Sequence, residues 1–216
     1  MKTFRLYISI FTLLSFVSCT NSDKTLDYSS VFYSDFKSDF LKSDLTKYSY
    51  NPRFQFVLNG HNIDAYRVVI FRDSSLRIEG VQAFSKAFNV RIDTFFNSDV
   101  ILSKLSDCNY ILRSPFNDES LTHIIPKQTT SINIVEYFFN LKRLLNKYKI
   151  IEIKLHSSVN IKTIVFSDHD YLIYKPDSLV FNDSENIEFM KFLFENSKQL
   201  DKNWYQFHKH INTDYQ

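Results

Sequence analysis

The chain has 216 residues, of which 26 are Lys or Arg and 24 are Asp or Glu, giving a formal net charge of +2. No basic tract or stripe stands out, so nucleic-acid binding has no electrostatic footing. Glycine occurs only twice, at Gly60 and Gly80, which excludes the dinucleotide fingerprint and the P-loop, since both need several glycines where backbone meets phosphate.

The first residues, Met1-Lys2-Thr3-Phe4-Arg5, carry two positive charges and no acid, and Leu6 to Val17 is an apolar run interrupted by Ser9, Thr12 and Ser15. Such a run is shorter than the roughly 20 apolar residues that span a bilayer and has the length of a signal-peptide core. Phe16-Val17-Ser18-Cys19 follows, then the polar stretch Thr20-Asn21-Ser22-Asp23-Lys24. A small residue before a cysteine at the end of an apolar run resembles the lipobox of bacterial lipoproteins, with Phe16 where that motif usually has Leu. The resemblance implies acylation of the Cys19 thiol and cleavage just before it. Residues 1–18 are then a signal peptide, 19–29 a lipid-anchored tether and 30–216 the globular body. It further implies a membrane partner held through the lipid and a place in the cell envelope. Thr20 is not the acidic residue linked to inner-membrane retention, which favours the outer membrane where the cell has two.

Two consequences follow for the mature chain. Without Lys2 and Arg5 the 26 basic residues fall to 24, equal to the 24 acids, so its formal net charge is zero. With Cys19 lipidated, Cys108 is the remaining thiol. An exported domain with one thiol forms no internal disulfide and depends on its core; Cys108 reads as a small buried hydrophobe within it.

Aromatic residues make up 17% of the chain, with 22 Phe and 13 Tyr. They suit a sugar-stacking surface, but Ile, Asn and Lys are abundant alongside them, as an AT-rich coding sequence produces. Past the tether, Phe32, Phe36, Phe40 and Leu41 fall at helical spacing among Ser-Asp pairs and lysines, which predicts a short amphipathic helix. From Arg53 the pattern turns to strand. Phe54 to Leu58 precedes Asn59-Gly60, a hairpin signal, and further strands are predicted over Ile63 to Arg72 and Leu76 to Val81. Helices are predicted near Gln82–Phe88 and Asp99–Leu105, a strand near Tyr110–Leu112, and an irregular connection between Pro115 and Pro126.

The clearest helix is predicted from Ile132 to Tyr148, capped by Ser131, with Ile134, Phe138, Leu141, Leu145 and Tyr148 on one face. Strands are then predicted over Ile150–His156, Ile161–Ser167 and Tyr171–Lys175, with a short one at Leu179–Phe181. The last helix is predicted from Glu185 to Leu200, with Phe189, Met190, Leu193 and Phe194 inward. This order predicts an α+β fold, mainly antiparallel sheet from two β-meanders with packed helices, either one body or two halves with a break near 115–130.

Asp168-His169-Asp170 is the densest group of metal-ligand residue types, since carboxylates with an imidazole hold divalent cations. Between two strands, however, Asp is an ordinary turn residue. His208 and His210 have the spacing of ligands on an extended segment but lie near the C-terminus, which reads as a solvated tail. Trp204, Tyr205 and Phe207 form either a partner-binding surface or a clasp pinning the final helix to the core. G-x-S-x-G, H-E-x-x-H and paired C-x-x-C motifs are absent, and no acid pair or Ser/His/Asp set is placed in one pocket. The expectation is an envelope-accessory domain without cofactor or catalytic residues that binds another envelope protein. The alternatives are a glycan or small-molecule binder, and a hydrolase with a non-motif site using Asp168, His169 and Asp170.

Overall fold

The computed structural model describes residues 30–58, 65–92, 99–104, 110–115, 120–126, 133–156, 161–177 and 184–208. Cys19 and the tether, the Asn59-Gly60 hairpin, Cys108, the short strand expected at 179–181 and His210 lie outside these residues. No described helix is long and apolar enough to cross a membrane.

Helix α1 (Ser30–Lys42) buries Phe36 and Phe40 and leaves Leu41 outside, so the spacing of the aromatics sets its inner face. It ends where Ser43 Oγ accepts from the Leu45 amide and caps a 3-10 turn, Asp44–Lys47. The chain then runs through β1 (Tyr48–Asn51), β2 (Gln55–Leu58), β3 (Tyr66–Ile70), β4 (Leu76–Glu79), α2 (Val81–Phe88), β5 (Val90–Arg91), β6 (Val100–Lys104), β7 (Tyr110–Arg113) and β8 (Ser120–Pro126). After α3 (Ile134–Lys147) come β9 (Glu152–His156), β10 (Ile161–Val165), β11 (Asp170–Tyr174), α4 (Ser184–Glu195), β12 (Lys198–Asp201) and β13 (Trp204–His208).

The protein is α+β. Its strands form one antiparallel sheet in the order β12-β13-β11-β10-β9-β1-β2-β3-β4-β6-β7-β8-β5. Strand β9 lies beside β1, so the strands on either side of α3 share one sheet. Within the stretch near 115–130, β8 occupies 120–126 and pairs with β7.

Several elements differ from the sequence expectation, among them β1, which precedes the strands expected from Arg53, and β8, which fills much of the irregular connection expected between Pro115 and Pro126. Residues 99–105 were expected as a helix, but Val100–Lys104 is a strand between β4 and β7 with alternating burial. Valine, isoleucine and leucine in succession fit either period, and the two neighbouring edges decide. The last helix stops at Glu195, and the following residues, expected as helix end and tail, form the β12–β13 hairpin. Asn133, not Ser131, caps α3 by accepting from the Glu136 amide.

Gly80 sits at φ 78° between β4 and α2, and a Cβ there would meet the Ala65 carbonyl oxygen at 2.7 Å. Only glycine turns the chain there without strain. The helix it launches buries Phe84 against Tyr66 at 5.4 Å between ring centres.

Helices α1, α2 and α3 share one face of the sheet. There α1 covers β10, β11 and β13, with Phe36 and Phe40 against Trp204, while Phe138 of α3 packs on Tyr48 and Phe56. Helix α4 lies on the opposite face, where Met190 and Leu193 meet Ile161 and Ile173.

Candidate functional site

Asp168, His169 and Asp170 occupy the turn between β10 and β11. Ser167 Oγ organises it, accepting from the amides of His169 at 3.2 Å and Asp170 at 3.0 Å and donating to Asp170 Oδ2 at 3.1 Å. Asp168 is exposed, and its carbonyl accepts from the Tyr171 hydroxyl at 2.6 Å. Asp170 turns inward, is only 5% exposed and pairs across the sheet with His208. Its Oδ1 lies 2.8 Å from His208 Nδ1.

Asp168 and Asp170 therefore diverge, while the His169 ring lies on the side of His208, 6.5 Å between ring centres, with its Nδ1 buried and without a hydrogen-bond partner among the described residues. Among the described residues, no group of three His, Cys, Asp or Glu side chains is placed to hold a metal ion. Instead the sheet joins Asp170 to His208, 38 residues further along the chain. A carboxylate bonded to Nδ1 orients an imidazole and sets which nitrogen carries the proton, and this pair also ties β13 to β11. The Ser167 hydroxyl is bonded to Asp170 rather than to His208, so these residues are not arranged as a nucleophile with its base. His208 was expected in a solvated tail. The signal that places it was the alternation of Trp204-Tyr205-Gln206-Phe207-His208, which reads as a strand. His156, at the end of β9, lies 3.1 Å from Thr163 Oγ1 of β10, and burial, helped by Lys154, holds its pKa below the ordinary histidine value.

The aromatic trio near the C-terminus splits between the two faces. Trp204 is 1% exposed, enclosed by Phe36, Phe40 and Tyr174, so it offers no surface to a partner. Tyr205 and Phe207 point the other way, into the cluster under α4, with Tyr205 against Phe194 at 4.7 Å. Strand alternation makes the division, since successive side chains leave opposite sides of the sheet.

No family model, curated protein or solved structure matches the chain. Its site is therefore read from geometry alone.

The remaining feature is the back of the sheet from β1 to β7. Tyr66, Val68 and Ile70 of β3 face the helices, so Arg67 and Val69 face away; Arg77 and Glu79 of β4 do the same. Register aligns this outer row: Ser49 beside Val57, Val57 beside Arg67, Arg67 beside Glu79, and Val69 beside Arg77. It continues with Arg77 beside Ile101, Ile101 beside Arg113, and Ser103 beside Ile111. Val57, Val69, Ile101 and Ile111 are partly exposed there and belong to neither buried cluster.

Charges cross that aliphatic strip in an ordered way. Arg67 Nε lies 3.2 Å from Glu79 Oε2, Arg77 Nη2 donates to Asp99 Oδ2 at 2.6 Å, and Arg77 Nε lies 3.7 Å from Glu79 Oε1. Such pairs restrain long arginine side chains, whose stems can cover apolar area while their heads stay polar. No candidate site residue from the sequence lies here. The alternation of β3 and β4 carried the signal, and only their registration with β6 and β7 assembled it.

Proposed function

We propose that the protein is an envelope-anchored lipoprotein, held to the membrane by a lipid on Cys19, whose globular body binds another envelope protein. The observation that carries the binding role is the outer face of β1 to β7, on which no described element packs. A strip of Val57, Val69, Ile101 and Ile111 framed by Arg67, Arg77 and Arg113 has the make-up of a protein-binding patch, apolar at the centre and arginine-rich around it. Helix α1, the first described element, packs on the opposite face. We read the sheet itself as two meander units placed edge to edge, one built for the core and α4, the other for the core and a partner.

The burial of the aromatic residues supports a protein partner over the glycan-binding alternative. Among the described aromatics, Phe36, Phe40, Phe56, Phe84, Phe138 and Trp204 are packed into the core at below 2% exposure and offer no face to a sugar.

The test compares residues 20–216 with the same segment carrying Arg67→Glu and Val69→Glu, each used to capture partners from detergent extracts of the native envelope. A stoichiometric protein retained by the first and lost by the second supports the reading. Equal capture by both moves the binding site off this face. Radiolabelled palmitate tests the anchor: it enters the wild type and not Cys19→Ser, and equal labelling of the two rules the anchor out.

A further inference from the structure

The strands on either side of α3 meet along β1 and β9, and the ladder there is a single pair, Tyr50 opposite Ile153. The next antiparallel step on the same face sets Tyr48 opposite Leu155. Leu155 is paired on its other side with Lys162 of β10. Tyr48 and Leu155 do not extend the ladder. Lys162 instead reaches across β9, and its Nζ donates to the Tyr48 carbonyl at 2.6 Å. One side-chain amine thus supplies the hydrogen bond where the backbone pairing stops.

Its surroundings make this amine unusual. Lys162 is 4% exposed, and burial alone pulls its pKa down to about 8. The acids on the elements packed around the seam are committed to other groups. Asp44 is bound to Lys47 and Tyr137, Asp39 to Lys147 and Tyr148, and Asp201 to Lys37 and Tyr33. Glu136 holds Arg143, Glu152 holds Lys154, and Asp170 holds His208. The Tyr48 phenol is bonded to that of Tyr66 at 2.7 Å. Burial raises the pKa of Tyr48, Tyr66 and Tyr137, so all three stay neutral. A buried cation with no counter-charge among the described residues is less stable than an apolar side chain of its size, so its presence where the β1–β9 ladder stops calls for a role.

We propose that the β1–β9 seam is a proton-controlled opening line in the fold, with Lys162 as its latch. The charged amine favours parting of the strands and entry of water beside Tyr48; the neutral amine favours closure. The sign follows from linkage. Closing the seam lowers the affinity of Lys162 for its proton, so closure becomes more favourable as pH rises above the closed-state pKa. The dependence ends at the ordinary lysine value, where both states are neutral.

Backbone hydrogen exchange on the full chain between pH 7 and pH 9.5, corrected for the intrinsic rate at each pH, measures the opening. The expected wild-type result is a β1 and β9 opening constant that is level up to about pH 8. It then falls by about tenfold per pH unit, while β3 and β4 stay unchanged. Lys162→Met should show a level profile with opening at least tenfold rarer at pH 7.5 throughout the seam. A level wild-type profile overturns the proposal, and so does the same slope in Lys162→Met. An equal slope in β3 and β4 also overturns it, because the event is then unfolding of the whole chain rather than parting of the seam.

Discussion

The two arms of the sheet, β1 to β8 and β9 to β13, use the same kind of strand in different surroundings. All five residues of β10, Ile161-Lys162-Thr163-Ile164-Val165, are buried, because α1 covers one side of that arm and α4 the other. In β3 the burial alternates, with Arg67 exposed between Tyr66 and Val68. A strand covered on both faces reads as a continuous run, and one covered on a single face reads as alternation. The difference locates the face that no described helix covers: it belongs to the arm whose strands keep arginine and glutamate on their outer row.

The largest effect should come from the side of the C-terminal arm that faces α1. Trp204 is the largest fully buried side chain and holds Phe36, Phe40 and Tyr174 around it. Trp204→Ala should lower the unfolding free energy by roughly 3–5 kcal/mol, measured by urea denaturation of the soluble body. A loss below about 1 kcal/mol would mean that α1 is not fixed to the sheet as described. On the other side of the same arm, Met190 of α4 is 1% exposed over Ile161 and Ile173. Met190→Ala should destabilise by about 2 kcal/mol and loosen α4, raising the binding of a hydrophobic dye. No change in either quantity would mean that α4 is not the cover that separates the two arms.

How far this arrangement was legible differs between the arms for a physical reason. Helices α1 and α3 and strands β2 to β4 carry local signals: aromatics at helical spacing, or alternation beside a turn. Strand β6 carried none, since Val100-Ile101-Leu102 suits either period until β4 and β7 pair with it. Strand β8 ends on Pro126, which pairs with the short β5 rather than with a long central neighbour, and its flanking prolines made it read as a loop. The candidate site was less legible still. Asp168, His169 and Asp170 were visible as a cluster, but the partner of Asp170 lies on β13, and only the β11–β13 register brings His208 to it. Lys162 carries no local signal of its own within the strand predicted over Ile161–Ser167; its burial depends on β1 lying beyond β9, a pairing that no local pattern announces.

The smallest stability effect is the one that separates the two back faces. Val69 and Ile173 are both aliphatic residues in central strands, and each points away from the face that α1, α2 and α3 cover. Ile173 is fully buried beneath α4, whereas Val69 is partly exposed between Gln55 and Arg77. Serine at each position removes apolar volume and adds a hydroxyl. Under α4 that hydroxyl is desolvated and a cavity is left, so Ile173→Ser should destabilise by roughly 3 kcal/mol. On the outer face the hydroxyl stays hydrated, and Val69→Ser should change stability by no more than about 0.5 kcal/mol. Paired urea titrations decide the matter. A Val69→Ser loss above about 1.5 kcal/mol, within reach of the buried position, would mean that this face is already covered within the protein's own fold and is not free for a partner. A near-neutral result beside a large Ile173 effect leaves the arginine-framed strip as surface that folding does not need, which a binding role then accounts for.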